Sequence, residues 1–141
     1  MFQKITAACV LVVGLAAVDV AAAQNFWSRP NYIGGTDFYS RSGYIGTATR
    51  NYQGGFDFNG RSGYRASSTP NYVGGSNLHT PSGTWRSKPN YSGGFNYYGP
   101  SGSRFRSTPN YSGGFNFRSN TGFSGSTVPR SGGGIRFYSP R

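Results

Sequence analysis

The sequence predicts an all-β protein made of β-hairpins with a period of about twenty residues, stacked as a solenoid-like array. Three observations carry that prediction. An Asn-Tyr pair recurs at Asn31-Tyr32, Asn51-Tyr52, Asn71-Tyr72, Asn90-Tyr91 and Asn110-Tyr111, in steps of 20, 20, 19 and 20. A Gly-Gly pair follows each one, at Gly34-Gly35, Gly54-Gly55, Gly74-Gly75, Gly93-Gly94 and Gly113-Gly114. Between that pair and a later glycine (Gly43, Gly63, Gly83, Gly102, Gly122) lies a short aromatic stretch of period two, such as Phe56-Asp57-Phe58.

From the N-terminus, Met1 to Lys4 is positively charged, residues 5–18 are almost wholly apolar, and Ala21-Ala22-Ala23 supplies small residues before Gln24. That order predicts a signal peptide over residues 1–23, cleaved after Ala23, and a secreted, periplasmic or cell-envelope destination. The apolar run is shorter than the roughly 18 residues that span a bilayer as a helix. The one cysteine, Cys9, falls in this leader, so cleavage would leave neither a disulfide nor a Cys-ligated metal site.

Residues 24–141 form the repeat region: five repeats, and a truncated sixth from Pro129 that keeps Gly133-Gly134 and then Ile135-Arg136-Phe137-Tyr138. Proline precedes the Asn at Pro30, Pro70, Pro89 and Pro109, with Arg50 in that place once. Pro-Asn reads as a corner, because Pro fixes its own backbone and Asn tolerates left-handed conformations. The glycine pair suits positive φ or a close backbone approach. On the first ground, Gly94→Val is expected to harm folding more than Arg104→Ala. The aromatic stretch reads as one strand, Ser-Gly (Ser101-Gly102) as a turn, and a segment such as Arg104-Phe105-Arg106 as the second strand. Glycine and proline recur too densely for helix.

A lone hairpin is marginal in water, so order would come from neighbours. Stacking would set the five Tyr in one column and the five Asn in another. Aliphatic side chains are scarce after the leader, so the core should be aromatic and thin. The alternative is a largely disordered Gly/Tyr/Arg-rich chain, because ordering costs about 1–2 kcal/mol per residue.

Lys and Arg number 14 against 3 Asp and Glu, a formal net charge of +11. Most of the cations are arginine, whose planar fork pairs anionic groups and stacks on rings. The candidate anion-binding residues are Arg41, Arg61, Arg65, Arg86, Arg104 and Arg106, which sit among aromatics. The same charge also serves solubility. Asp37 and Asp57 occupy one slot in neighbouring repeats, but later copies place Asn77, Asn96 and Asn116 there, so the slot reads as structural. His79 has no second imidazole and no cysteine nearby in sequence. No nucleophile elbow and no phosphate loop occur. The protein is expected not to be an enzyme, with no cofactor.

The aromatic run closed by a turn glycine, Phe95-Asn96-Tyr97-Tyr98-Gly99-Pro100-Ser101-Gly102, resembles the cell-wall and choline-binding repeats of surface proteins. Those are also hairpins of a β-solenoid, and the resemblance implies a surface role. Only Trp27 and Trp85 are present, so the family's choline cage is not carried over. The Asn column also resembles, more distantly, curli-type exported subunits.

Two functions follow as expectations. The first is a structural or assembly role at the cell surface or envelope, with self-association templated through exposed end strands. The second is a multivalent binding module for anionic polysaccharide, lipopolysaccharide or a lipid surface. Nucleic acid is disfavoured by export. An outer-membrane barrel is disfavoured by short strands and the lack of a lipid-facing aliphatic band.

Overall fold

A computed structural model describes residues 25–138 apart from 42, 62, 121 and 123; the leader assigned to residues 1–23 lies outside them. The strands are β1 (Phe26–Pro30), β2 (Thr36–Ser40), β3 (Gly43–Arg50), β4 (Phe56–Gly60), β5 (Arg65–Pro70) and β6 (Ser76–Thr80). They continue as β7 (Gly83–Pro89), β8 (Phe95–Tyr98), β9 (Arg104–Pro109), β10 (Phe115–Ser119), β11 (Ser124–Pro129) and β12 (Ile135–Tyr138). A 3-10 turn, Pro100–Gly102, precedes β9. Each strand pairs antiparallel with the next, and β1 pairs with β12. The sheet is a closed up-and-down barrel.

That closure corrects the expectation of a solenoid-like stack. The hairpins lie edge to edge in one sheet, and sheet twist and coiling bring the last strand back to the first. Closing removes both edges that an open array would expose. The copy that begins at Pro129 supplies the corner 130–134 and β12, so the described chain holds six strand–corner–strand hairpins around the ring.

Alternate residues point inward, and the core is aromatic, as the shortage of aliphatics requires. Phe26, Phe38, Phe58, Trp85, Tyr97, Phe117 and Phe137 are buried with Leu78 and Ile135. Twelve strands enclose more space than the eight that ordinary side chains just fill, so large rings are needed. Each buried Phe contributes about 1.5–3 kcal/mol. The rings fit because small residues face them. A Cβ added at Gly125 would lie 2.5 Å from Phe137 Cζ, one at Gly46 2.8 Å from Phe58 Cζ, and one at Gly99 2.6 Å from the Trp85 ring. The core is an inward-facing, mainly aromatic cluster supplied by strands around the ring.

The tyrosines of the Asn-Tyr pairs are not in it. Tyr32, Tyr52, Tyr72, Tyr91 and Tyr111 are fully exposed, at 107–111% of the reference area, which corrects the stacked tyrosine column. Each follows the corner Asn directly, outside the strands whose alternation decides what faces inward.

The corners themselves are alike. In the corner 110–114, the Asn110 N–H donates to Gly114 O (3.0 Å) and the Gly113 N–H to Asn110 O (3.3 Å). Asn110 Oδ1 accepts from the backbone N–H of Ser112 (3.0 Å) and Gly114 (2.9 Å). Its amide donates to Thr127 O on the neighbouring hairpin (3.0 Å). Asn51, Asn71 and Asn90 make the same bridge to Ser68 O, Ser87 O and Ser107 O. The Asn side chains therefore bond across hairpins, not to one another in a ladder. At the sixth corner Arg130 replaces Asn, and its guanidinium donates to Ser28 O (2.9 Å), which ties the last hairpin to the first. Buried hydroxyls repeat the pattern inside: Ser107 Oγ accepts from the Phe95 N–H (2.9 Å), Thr127 Oγ1 from Phe115 (2.8 Å) and Ser28 Oγ from Ile135 (2.9 Å).

The reason given for Gly94 also needs correction. Gly93 takes the positive φ, at 89°, while Gly94 sits against the next hairpin. A Cβ on Gly94 would lie 2.0 Å from Ser107 O. The pair thus divides its work: the first glycine turns the chain and the second admits the neighbouring strand.

Candidate binding surface

All six corners lie at one end of the barrel, since every odd-numbered strand runs into a corner and every even-numbered strand leaves one. That rim carries the five exposed tyrosines, one per Asn corner, with Ile33 and Val73 also exposed beside the first and third. Tyrosine offers a rigid amphipathic ring with few rotatable bonds, so fixing it against a partner costs little entropy. The backbone beneath each ring is held by the Asn bonds, so the rim displays the same group repeatedly on a rigid frame.

The predicted arginines divide between two places. Arg41 and Arg61 are exposed in connections at the opposite end. Arg65, Arg86, Arg104 and Arg106 are exposed on the outer wall, and the strands do bring three of them together. Tyr98 on β8 is the cross-strand partner of both Arg86 on β7 and Arg104 on β9. The Lys88 ammonium and the Arg104 guanidinium lie 5.5 and 6.0 Å from the Tyr98 ring centre. Arg106 pairs with Asn96 on one side and with Arg118 on the other, and its guanidinium donates to Ser92 Oγ at 3.1 Å. Arg65 stands apart on β5, opposite Asn59.

Lys88, Tyr98, Tyr138 and the pairing of Arg118 are what the sequence reading missed. The signal was present. Counting outward from a corner fixes the register, so Arg106 and Arg118 lie opposite once Asn110 and Gly113-Gly114 are read as a turn.

The other side of the barrel is different. Asp37 faces Arg29 across β1 and β2. Its carboxylate accepts from the Asn31 amide (2.9 Å) and the Thr47 hydroxyl (2.7 Å). Those two hydrogen bonds hold the Asp37 pKa below its ordinary 3.8, against a smaller opposing effect of burial. Asp57, on β4, accepts from the Asn51 amide (3.1 Å), and β3 separates it from Asp37 on β2. Each carboxylate serves its own corner. His79 lies beside Thr84, and no group of three His, Cys, Asp or Glu able to hold a metal occurs among the described residues.

No family model, curated protein or solved structure matches this chain. The resemblance to surface-protein repeats therefore stands on spacing and turn residues alone, and the outward chemistry carries the functional reading. That chemistry is largely polar: Asn, Asp and Arg alternate outward on β4 and β10 while Phe points in, with Tyr98 and Tyr138 also on the outer wall. A barrel embedded in lipid has the reverse alternation, and strands of roughly 9–11 residues rather than the 4 to 8 here.

Proposed function

We propose that this is an exported, non-catalytic protein that acts at the cell surface or envelope as a multivalent binding module for an anionic glycan, lipopolysaccharide or lipid surface. Of the two readings left open by the sequence, the closed sheet favours this one. Assembly templated by end strands needs unpaired edges, and β1 and β12 pair with each other. A structural role at the envelope then runs through surfaces that are free, which are the tyrosine rim and the basic wall.

The observation that carries the proposal is the five-fold recurrence of a fully exposed tyrosine on one rim of a rigid, strongly basic barrel. Equivalent sites on one frame give a repeating polymer several simultaneous footholds, and each further one acts at high effective concentration. The positive charge raises the local concentration of an anionic polymer before contact.

The test uses the purified exported form, with a sulfated polysaccharide and a neutral one of equal length as probes. The sulfated polymer is expected to bind at low salt and to weaken as salt rises. Tyr52→Ser should weaken it several-fold, and Tyr52→Ser with Tyr91→Ser should weaken it about twice as far on a logarithmic scale. Equal affinity for the neutral polymer, or indifference to the tyrosine changes, overturns the reading. Salt-resistant fibres with a cross-β spacing restore the assembly role.

A further inference from the structure

The wall between β9 and β12 holds an arrangement that the barrel does not need for its own stability. Arg106 and Arg118 are direct cross-strand partners, both exposed on the same face. Opposite positions place their Cβ atoms roughly 4.5–5.5 Å apart, and like charges so placed oppose each other. Elsewhere the barrel avoids this: Arg29 faces Asp37, Arg65 faces Asn59 and Arg50 faces Phe56. Arg106 and Arg118 both line a shallow depression of about 580 Å³, one Arg106 N–H being given to Ser92 Oγ, and among the described residues its lining contains no carboxylate. Its floor lies over β11, where the small outward residues Ser124 and Ser126, opposite Arg118 and Asn116, keep the wall low. Asn116 borders it on β10 and Tyr138 on β12. Arg136, the residue two before Tyr138, donates to the Tyr138 hydroxyl at 3.3 Å and brings a third guanidinium to that edge.

We infer that this depression binds a sugar carrying a tetrahedral oxyanion, a phosphate or sulfate monoester, with the oxyanion between Arg106 and Arg118. Two guanidinium forks present more N–H donors than the two oxygens of a carboxylate can use, and the Asn116 amide adds to them. The three free oxygens of a phosphate or sulfate ester match that supply. The opposed positive charges are then relieved by the ligand. Tyr138 supplies a ring edge or face for the apolar side of the sugar, and the serine floor leaves room for it. The site rests on the glycan-binding reading above and names the group on that glycan which is recognised.

The experiment is calorimetric titration of the exported form with inorganic phosphate, inorganic sulfate, glucose 6-phosphate and glucuronate. Glucose 6-phosphate is expected to bind, inorganic phosphate and sulfate at least threefold more weakly, and glucuronate at least tenfold more weakly. Arg106→Gln and Arg118→Gln should each weaken glucose 6-phosphate tenfold or more. The variant Arg50→Gln removes the same single charge on β3, well away from this wall, and should change it less than twofold. Circular dichroism and melting of each variant separate lost binding from lost fold. Equal weakening by the control variant, glucuronate binding as tight as the phosphate, or no dependence on Arg106 and Arg118 overturns the site. The sulfated polymer run in parallel distinguishes the two levels. If it binds through the tyrosines while glucose 6-phosphate ignores Arg106 and Arg118, this site fails alone. If the polymer does not bind at all, the broader reading fails with it.

Discussion

The two ends of the barrel are built on different rules. At the corner end every connection has the same length, 31–35, 51–55, 71–75, 90–94, 110–114 and 130–134. Five of the six also repeat the same Asn, Tyr and paired glycines. At the opposite end the connections run from two residues (81–82) to five (99–103), and one contains the 3-10 turn. The corner end is bonded from hairpin to hairpin by Asn amides and by Arg130, whereas Asn120 makes such a link at the other end. Uniformity is thus found where the link between neighbouring hairpins is repeated around the ring, and variation where it is not. It also explains why the tyrosines recur: they ride on the segment whose geometry cannot drift.

Matched glycine substitutions test this contrast most severely. Gly94→Ala puts a Cβ 2.0 Å from Ser107 O, a backbone atom of the adjoining hairpin, so two strands must separate. A loss of about 3–5 kcal/mol is expected. Gly102→Ala at the opposite end meets nothing within 4 Å and pays only for its φ of 77°. About 1–2 kcal/mol is expected there. Denaturant midpoints of the two variants measure the difference, and equal losses would mean that the ends are equally constrained.

Asparagines make a gentler pair. Asn110→Ala leaves the Ser112 and Gly114 N–H groups and the Thr127 carbonyl without the partner they have now, and the site is partly buried. A cost of about 2–3 kcal/mol is expected. Asn120→Ala removes bonds to the Arg104 N–H and Gly102 O at an exposed turn where water can replace them, so about 1 kcal/mol is expected. Amide exchange should localise the first effect across the β10–β11 boundary and the second around Gly102, Arg104 and Asn120 at the opposite end.

Much of the corner end could be read from the chain. The spacing of Asn-Tyr and Gly-Gly places each turn, period two assigns the strands, and counting outward from Asn110 sets Arg106 against Arg118. Closure could not be read so directly, because it depends on the summed twist of twelve strands rather than on any one segment. The clue that remained was Arg130, standing where Asn should be in the last copy, which reaches Ser28 O at the far end of the sequence. The tyrosines were misplaced for a related reason: a recurring aromatic residue suits a core or a display equally, and only position relative to the strand ends separates the two. The phenylalanines at 38, 58, 117 and 137 lie within strands and are buried, whereas Tyr52 lies one residue past the corner Asn and is not.

The smallest expected effect concerns the one corner whose amide is paired with a perturbed carboxylate. Asn31 and Thr47 both donate to Asp37, and these bonds favour the ionised form, so its pKa in the folded protein lies below the ordinary 3.8. A depressed folded pKa means that the stabilisation is present above the unfolded value and is lost as pH falls through the folded one. Stability measured between pH 6 and pH 2.5 should therefore drop on the acid side through this group. Asp37→Asn keeps an acceptor for the Asn31 amide, as Asn96 and Asn116 do in later copies. It should lower stability slightly at pH 6 and flatten the acid limb, so that the two proteins converge at the acid end. Arg61→Gln at the opposite end should leave the acid limb unchanged. An acid limb identical in the wild type and Asp37→Asn would remove the carboxylate from the account of the corner, leaving Asn31 to work through its backbone bonds alone.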